Sequence, residues 1–94
     1  MLIERTELLI REGQEEGFSA AMTNQGMGIL ASVPGVVSVK MGRGVENPKK
    51  FMLLVHWENM DAHAAFGKTP ASDQIRALIG PFSQGGGMEH FQMT

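Results

Sequence analysis

The clearest pattern in the chain is an apolar stretch in its second half, KKFMLLVHW at residues 49–57. Alternate side chains of a strand point to opposite faces of a sheet, so Leu53 and Val55 share one face and Met52 and Leu54 share the other. A small sheet with helices on one side is expected to show polar residues on its free face. Here both faces are apolar, which predicts that a second copy of the chain covers the outer face.

Three weaker segments complete the predicted sheet. Val36–Met41 alternates and is rich in β-branched residues, and the turn-forming segment GRGVENP at 42–48 joins it to the apolar strand as a hairpin. Leu2–Arg11 is predicted as a first strand, although its Glu, Arg and Leu residues also suit a helix. Met88–Met93 alternates and is predicted as the last strand, preceded by a flexible loop, SQGGG, at 83–87.

Two helical regions separate these strands. Gln14–Val33 carries an apolar stripe at helical spacing and ends before Pro34. Its other side is small and uncharged, which predicts that it lines a ligand cavity or contacts a partner chain. These uncharged residues are Ser19, Thr23, Gln25, Gly26 and Ser32. The second region consists of a helix at Met60–Gly67, capped by Asn59, and another at Thr69–Ile79.

The order of the elements, β-α-β-β-α-β, predicts the fold class. It is the split βαβ arrangement of ferredoxin-like domains, an α+β fold with an antiparallel sheet and the helices on one face. No linker or internal repeat divides the sequence, and a chain of 94 residues is too short for two independent cores. We therefore expect a single domain over residues 1–94.

Composition argues against several classes of protein. Hydrophobic residues make up 43% and charged residues 19%, which is not the composition of a disordered chain. The formal net charge of −2 and the lack of a basic stripe argue against nucleic-acid binding. Charged residues near the N-terminus argue against a signal peptide, and polar residues and glycines in the longest uncharged stretch argue against a membrane span. The absence of cysteine fits a reducing compartment, so a cytoplasmic protein is expected.

Several short segments form a recognisable set: ENPKKF at 46–51, VHWEN at 55–59 and AHAAF at 62–66. Together with PGV at 34–36 and EHF at 89–91, they resemble the antibiotic biosynthesis monooxygenase (ABM) family of the dimeric α+β barrel superfamily. The resemblance extends over nearly the whole chain. It implies a ferredoxin-like fold that forms a homodimer through the sheet face, so that two stacked sheets make an α+β barrel.

The resemblance also implies a range of functions, since the family includes cofactor-free oxygenases of quinols and anthrones, heme-degrading enzymes and proteins of no assigned activity. The first hypothesis is a cofactor-independent monooxygenase that oxidises a small hydroxylated aromatic or quinol with O2. The alternatives are a non-catalytic dimer that binds an apolar small molecule, and a stress-response protein. Heme degradation is disfavoured because Phe66-Gly67 and Thr6 stand where heme-degrading relatives have a histidine and an asparagine. Leu53 stands where the polyketide oxygenases have an asparagine, which disfavours that activity too.

Four residues are candidates for the functional site: His63 and His90 for proton transfer, and Trp57 and Arg76 for substrate binding. Trp57 matches the family's pocket tryptophan and can stack on a flat aromatic ring. His63 matches the family's Ala-His pair, and the ordinary pKa of histidine suits base catalysis. Arg76 can hold an anionic substrate oxygen, and for all four residues the alternative is a structural or solvated side chain. The histidines show no metal-ligand spacing, so no metal and no cofactor are expected.

Overall fold

The computed structural model describes all 94 residues and contains one four-stranded antiparallel sheet in the order β2-β3-β1-β4. The strands are β1 Leu2–Ile10, β2 Val36–Arg43, β3 Lys50–Trp57 and β4 Ser83–Gln92. The central strand β1 pairs with β3 on one side and with β4 on the other, and β2 pairs with β3. This topology confirms the ferredoxin-like α+β fold that the order of elements predicts.

The helices pack against one face of this sheet. They are α1 Glu15–Ala21, α2 Met27–Ala31, α3 Met60–Phe66 and α4 Pro70–Ile79. A π-helical segment at Met22–Gly26 joins α1 to α2, so the predicted long helix is present but contains an unpredicted widened turn. Gly26 packs tightly there, because a Cβ at this position would lie 2.6 Å from the Met22 Sδ. No helix is both long and apolar enough to cross a membrane.

Side chains cap the two short helices, and the Asn59 cap is the one that the sequence predicts. The Asn59 Oδ1 accepts a hydrogen bond from the Ala62 backbone N–H at 2.9 Å, which satisfies a free donor in the first turn of α3. Thr69 caps α4 in the same way, with Ser72 N–H as the donor at 3.4 Å. Pro70 takes the first position of that helix, where its missing N–H has no consequence.

The prediction of a flexible loop at residues 83–87 was wrong. This segment is the first half of β4, and Gly85 and Gly86 lie opposite Leu9 and Leu8 of β1. A Cβ on Gly86 would collide with the carbonyl oxygen of Glu7. The glycines therefore permit a close approach to β1, and hydrogen bonding to the central strand outweighs their low strand propensity.

The core follows the alternation predicted for β3. Leu53, Val55 and Trp57 face the helices and are buried, whereas Met52 and Leu54 on the outer face are only half-buried. Most of the buried apolar side chains form one group, which we call the apolar cluster: Leu8, Ile10, Phe18, Met22, Leu30, Phe51, Leu53 and Ile75. A smaller group around Trp57 continues the core towards α3: Leu2, Val33, Val55 and Trp57.

Candidate functional site

A cavity of about 590 Å³ lies between the sheet and helices α3 and α4. Its wall is largely apolar, with Trp57 of β3 and Phe66 of α3 among the contributors. A small number of polar side chains also face it: Glu4, Thr6, His63, Ser72, Arg76 and Ser83. An apolar wall with a few converging polar groups is the usual form of a small-molecule site.

Glu4 of β1 is a buried carboxylate, 6% exposed, on the wall of this cavity. The Trp57 Nε1–H donates a hydrogen bond to Glu4 Oε1 at 2.9 Å, and the Thr6 Oγ1–H donates to Glu4 Oε2 at 2.5 Å. No lysine or arginine lies within ion-pair distance of Glu4, and the basic group that does is the His63 imidazole. The two donors offset part of the free energy that burying a carboxylate costs.

The sequence analysis missed Glu4, although the sequence contains a signal for it. Residues 2, 8 and 10 of β1 are buried apolar side chains on the helix-facing side, and residue 4 falls in the same alternation. A charged residue in the phase of buried positions marks an internal polar site.

His63 of α3 lies next to this carboxylate. Its Nε2 is 3.5 Å from Glu4 Oε1, and its ring meets the Trp57 ring edge to face with the centroids 5.2 Å apart. Burial lowers the pKa of His63 below the usual value for histidine, the Glu4 carboxylate acts in the opposite direction, and His90 lowers it further. The neutral imidazole is therefore favoured, and it has a lone pair that can accept a proton or bind a metal ion.

His90 of β4 lies directly across from Glu4 of β1 in the sheet register. Its ring centroid is 4.4 Å from that of His63, and its Nε2 is buried without a hydrogen-bond partner. His90 is not part of the cavity wall and lies beside His63. The two predicted proton-transfer residues are thus brought together, but only His63 faces the cavity.

The two predicted substrate-binding residues both line the cavity. Trp57 is 1% exposed and its indole N–H is already bound to Glu4, so the N–H is not available to a ligand and little of the ring surface is open to one. The Arg76 side chain is 69% exposed and lies 3.7 Å from Asp73 on the exposed side of α4. An exposed pair of this kind is weak, so the guanidinium is available to another anion.

The uncharged side of the long helix, which is predicted to line a ligand cavity or contact a partner chain, does not line this cavity. Leu30 is the only residue between Glu15 and Ala31 that contributes to the wall. Gln25, Gly28 and Ser32 instead border a separate depression of about 520 Å³ near the start of α4.

Glu4, His63 and His90 form a compact group of possible metal ligands. Each offers one ligand atom, and these atoms all lie within 4.8 Å of one another. Sequence spacing could not show this group, because its members come from β1, α3 and β4.

The comparison with known families agrees with this architecture. A family model described as antibiotic biosynthesis monooxygenase matches residues 1–78. The chain belongs to the ABM family. The resemblance found in the sequence is thereby confirmed, and membership supports a monooxygenase at the level of the family.

Individual ABM relatives cover almost the whole chain. The uncharacterized protein YczJ of Bacillus subtilis (strain 168) is 30% identical over 97 residues, which is 98% of each chain. A crystal structure from Bordetella bronchiseptica that bears the family's name is 26% identical with a TM-score of 0.89, covering 99% of this chain and 96% of that one. A structure from Nitrosomonas europaea that bears the same family name is 15% identical with a TM-score of 0.84, covering 99% and 98%, and this likeness shows the fold alone.

Proposed function

We propose that this ABM protein is a cofactor-independent monooxygenase that oxidises a small hydroxylated aromatic or quinol with O2. The observation that carries the proposal is an apolar cavity whose wall contains a tryptophan and an imidazole, the latter 3.5 Å from a buried carboxylate. An apolar wall selects a flat, poorly solvated molecule, and the imidazole provides a base at the same place.

The cavity volume and its wall define the class of substrate. A volume of about 590 Å³ falls within the range of about 300–1,000 Å³ that is typical of small-molecule pockets. Trp57 contributes an aromatic ring to the wall, and the exposed Arg76 side chain offers a cation for an oxygen that bears negative charge. We therefore expect an aromatic ring inside the cavity and an ionised or strongly polar oxygen near its mouth.

The proposed reaction begins with proton transfer from a substrate hydroxyl to His63. The Glu4 carboxylate stabilises the resulting imidazolium from 3.5 Å away. The substrate anion passes one electron to O2, and the two radicals combine to form a carbon–oxygen bond. The His63 imidazolium then returns its proton to the outer oxygen, which gives a ring hydroperoxide and restores the neutral imidazole. Loss of water gives the hydroxylated quinone, so that one oxygen atom of O2 enters the product and the other leaves in water.

Oxygen uptake with a panel of quinols tests this proposal. Replacement of His63 by Ala is expected to lower turnover by about 10²–10⁴, the usual contribution of a general base. His90→Ala is expected to have a smaller effect, because His90 does not face the cavity. Val45→Ala is the control, since Val45 is 89% exposed in the loop between β2 and β3.

Two outcomes would contradict the proposal. Uptake that survives both His63→Ala and His90→Ala unchanged would remove histidine from the mechanism. No uptake by the unaltered protein with any quinol, together with saturable binding of an apolar aromatic, would favour the non-catalytic binding function instead.

We also propose that the protein is a homodimer through the outer face of the sheet. Met52 and Leu54 of β3 point away from the helices, and Phe91 of β4 is 41% exposed on the same side. A patch of this kind on a small protein is usually covered by a partner, and the family resemblance implies sheet-to-sheet stacking.

Sedimentation of the unaltered protein and of Leu54→Glu tests the dimer. The unaltered protein is expected to sediment as a dimer at micromolar concentration, and Leu54→Glu to unfold or aggregate because the small core depends on its partner. Val45→Glu is the control, since Val45 is 89% exposed in the loop between β2 and β3. A monomeric unaltered protein would refute this proposal.

A further inference from the structure

We infer that Glu4, His63 and His90 form a binding site for one divalent transition-metal ion. The three side chains supply two imidazoles and one carboxylate within 4.8 Å of one another. This donor set suits Zn²⁺, Co²⁺ and Fe²⁺ and is poorly suited to Mg²⁺, which prefers oxygen ligands. The inference departs from the expectation of no metal, which rested on sequence spacing alone.

The distances fit an ion of this class. Zinc lies about 2.0–2.2 Å from nitrogen and oxygen ligands, so two ligands of a tetrahedral ion are about 3.4 Å apart. The 3.5 Å between Glu4 Oε1 and His63 Nε2 matches this separation. The ligand atom of His90 lies within 4.8 Å of the other two, so the three side chains would have to draw closer around a bound ion.

The surroundings of Glu4 resemble those of a ligating carboxylate. Trp57 and Thr6 each donate a hydrogen bond to a different oxygen of the carboxylate, which fixes its orientation. Each oxygen retains a lone pair, and Oε1 lies 3.5 Å from the His63 Nε2. Carboxylate and histidine ligands of metal ions are typically held by such outer hydrogen bonds.

His90 supplies an independent observation that points to a ligand. Its Nε2 is buried and has no hydrogen-bond partner. Buried polar atoms are nearly always bonded, and a nitrogen left without a partner lowers stability. Coordination of a metal ion would satisfy this atom.

Three protein ligands leave at least one coordination position, and the site borders the cavity through Glu4 and His63. A water molecule or an anionic ligand could take that position. A bound ion would occupy the imidazole lone pair that the proposed oxygenase uses, so metal binding and proton transfer at His63 exclude each other. Metal binding itself does not rest on the oxygenase proposal.

Titration of the tag-free, chelator-treated protein with Co²⁺ tests the site directly. We expect one equivalent of Co²⁺ per chain with d–d absorption in the visible region, displacement by Zn²⁺ and no displacement by Mg²⁺. His90→Gln and Glu4→Gln are expected to weaken Co²⁺ binding at least about tenfold, and Thr6→Val about tenfold through the carboxylate's orientation. Glu46→Gln is the matched control for Glu4→Gln and should bind Co²⁺ like the unaltered protein, since Glu46 is exposed in the loop between β2 and β3.

Circular dichroism and thermal unfolding identify any variant that fails to fold, and His90→Gln and Thr6→Val provide two further tests if Glu4→Gln is unstable. Failure of the unaltered protein to bind Co²⁺ or Zn²⁺ at micromolar concentration would overturn the inference. Equal Co²⁺ binding by the unaltered protein and folded His90→Gln would also overturn it. Neither outcome depends on oxygen uptake, so failure here and failure of the proposed oxygenase can be told apart.

Discussion

The helix-facing side of the sheet has two ends of different character. At one end, the apolar cluster packs Phe18 against Phe51 edge to face, with the ring centroids 4.9 Å apart and both residues almost fully buried. At the other end, a carboxylate and two imidazoles lie against the same sheet. We call this group the polar cluster; its members are Glu4, Trp57, His63 and His90. The two ends share strands β1 and β3, so the difference lies in the side chains and not in the backbone.

Packing alone explains the apolar cluster but not the polar cluster. Burial of apolar area stabilises the fold, whereas a buried carboxylate or an unpartnered imidazole nitrogen lowers its stability. Proteins retain groups of this kind where function requires them, at some expense in stability. The comparison therefore supports the polar end as the place of the proposed functional site.

The largest expected effect on stability comes from the apolar cluster. Phe51→Ala removes a side chain that contacts Phe18 and is 1% exposed, and we expect the free energy of unfolding to fall by about 3–5 kcal/mol. Urea unfolding at a fixed protein concentration measures this change. Val45→Ala should change it by less than about 0.5 kcal/mol, because Val45 is exposed. A loss of similar size in both variants would contradict the location of the core.

An intermediate effect on the free energy of unfolding is expected from loss of the hydrogen bond between Trp57 and Glu4 in the polar cluster. Trp57→Phe keeps a ring but removes the indole N–H that binds Glu4 Oε1. We expect the free energy of unfolding to fall by about 1.5–3 kcal/mol, because a buried carboxylate loses a donor. In a Glu4→Leu background the same substitution should lower it by less than about 1 kcal/mol. Equal losses in the two backgrounds would show that the hydrogen bond contributes nothing.

The smallest expected effect has the opposite sign. His90→Leu replaces an imidazole whose Nε2 is buried without a partner, and we expect the free energy of unfolding of the metal-free protein to rise by about 1 kcal/mol. The same substitution should abolish Co²⁺ binding at the inferred site. A fall in the free energy of unfolding would show that His90 stabilises the fold and would weaken the contrast between the two ends.

Much of the fold could be predicted from local pattern. The alternation in β3 predicts its buried face correctly, the Asn59 cap predicts where α3 begins, and Pro70 predicts where α4 begins. These predictions hold because the conformational preference of each residue and its burial in the folded chain favour the same structure. Of the candidate site residues, Trp57, His63 and Arg76 do line one cavity, whereas His90 lies beside His63.

The sequence by itself determined the order of elements, the alternating faces of β3 and the helix starts, because these depend on backbone preference and burial within a few residues. Only the tertiary structure decided that residues 83–87 form a strand, since their partner is β1. It also decided the polar cluster, because Glu4 and His90 meet through the register of β1 and β4, and His63 joins them from α3. Distances between residues so far apart in the chain depend on how the whole sheet and its helices pack. The spacing of residues along the sequence does not determine them.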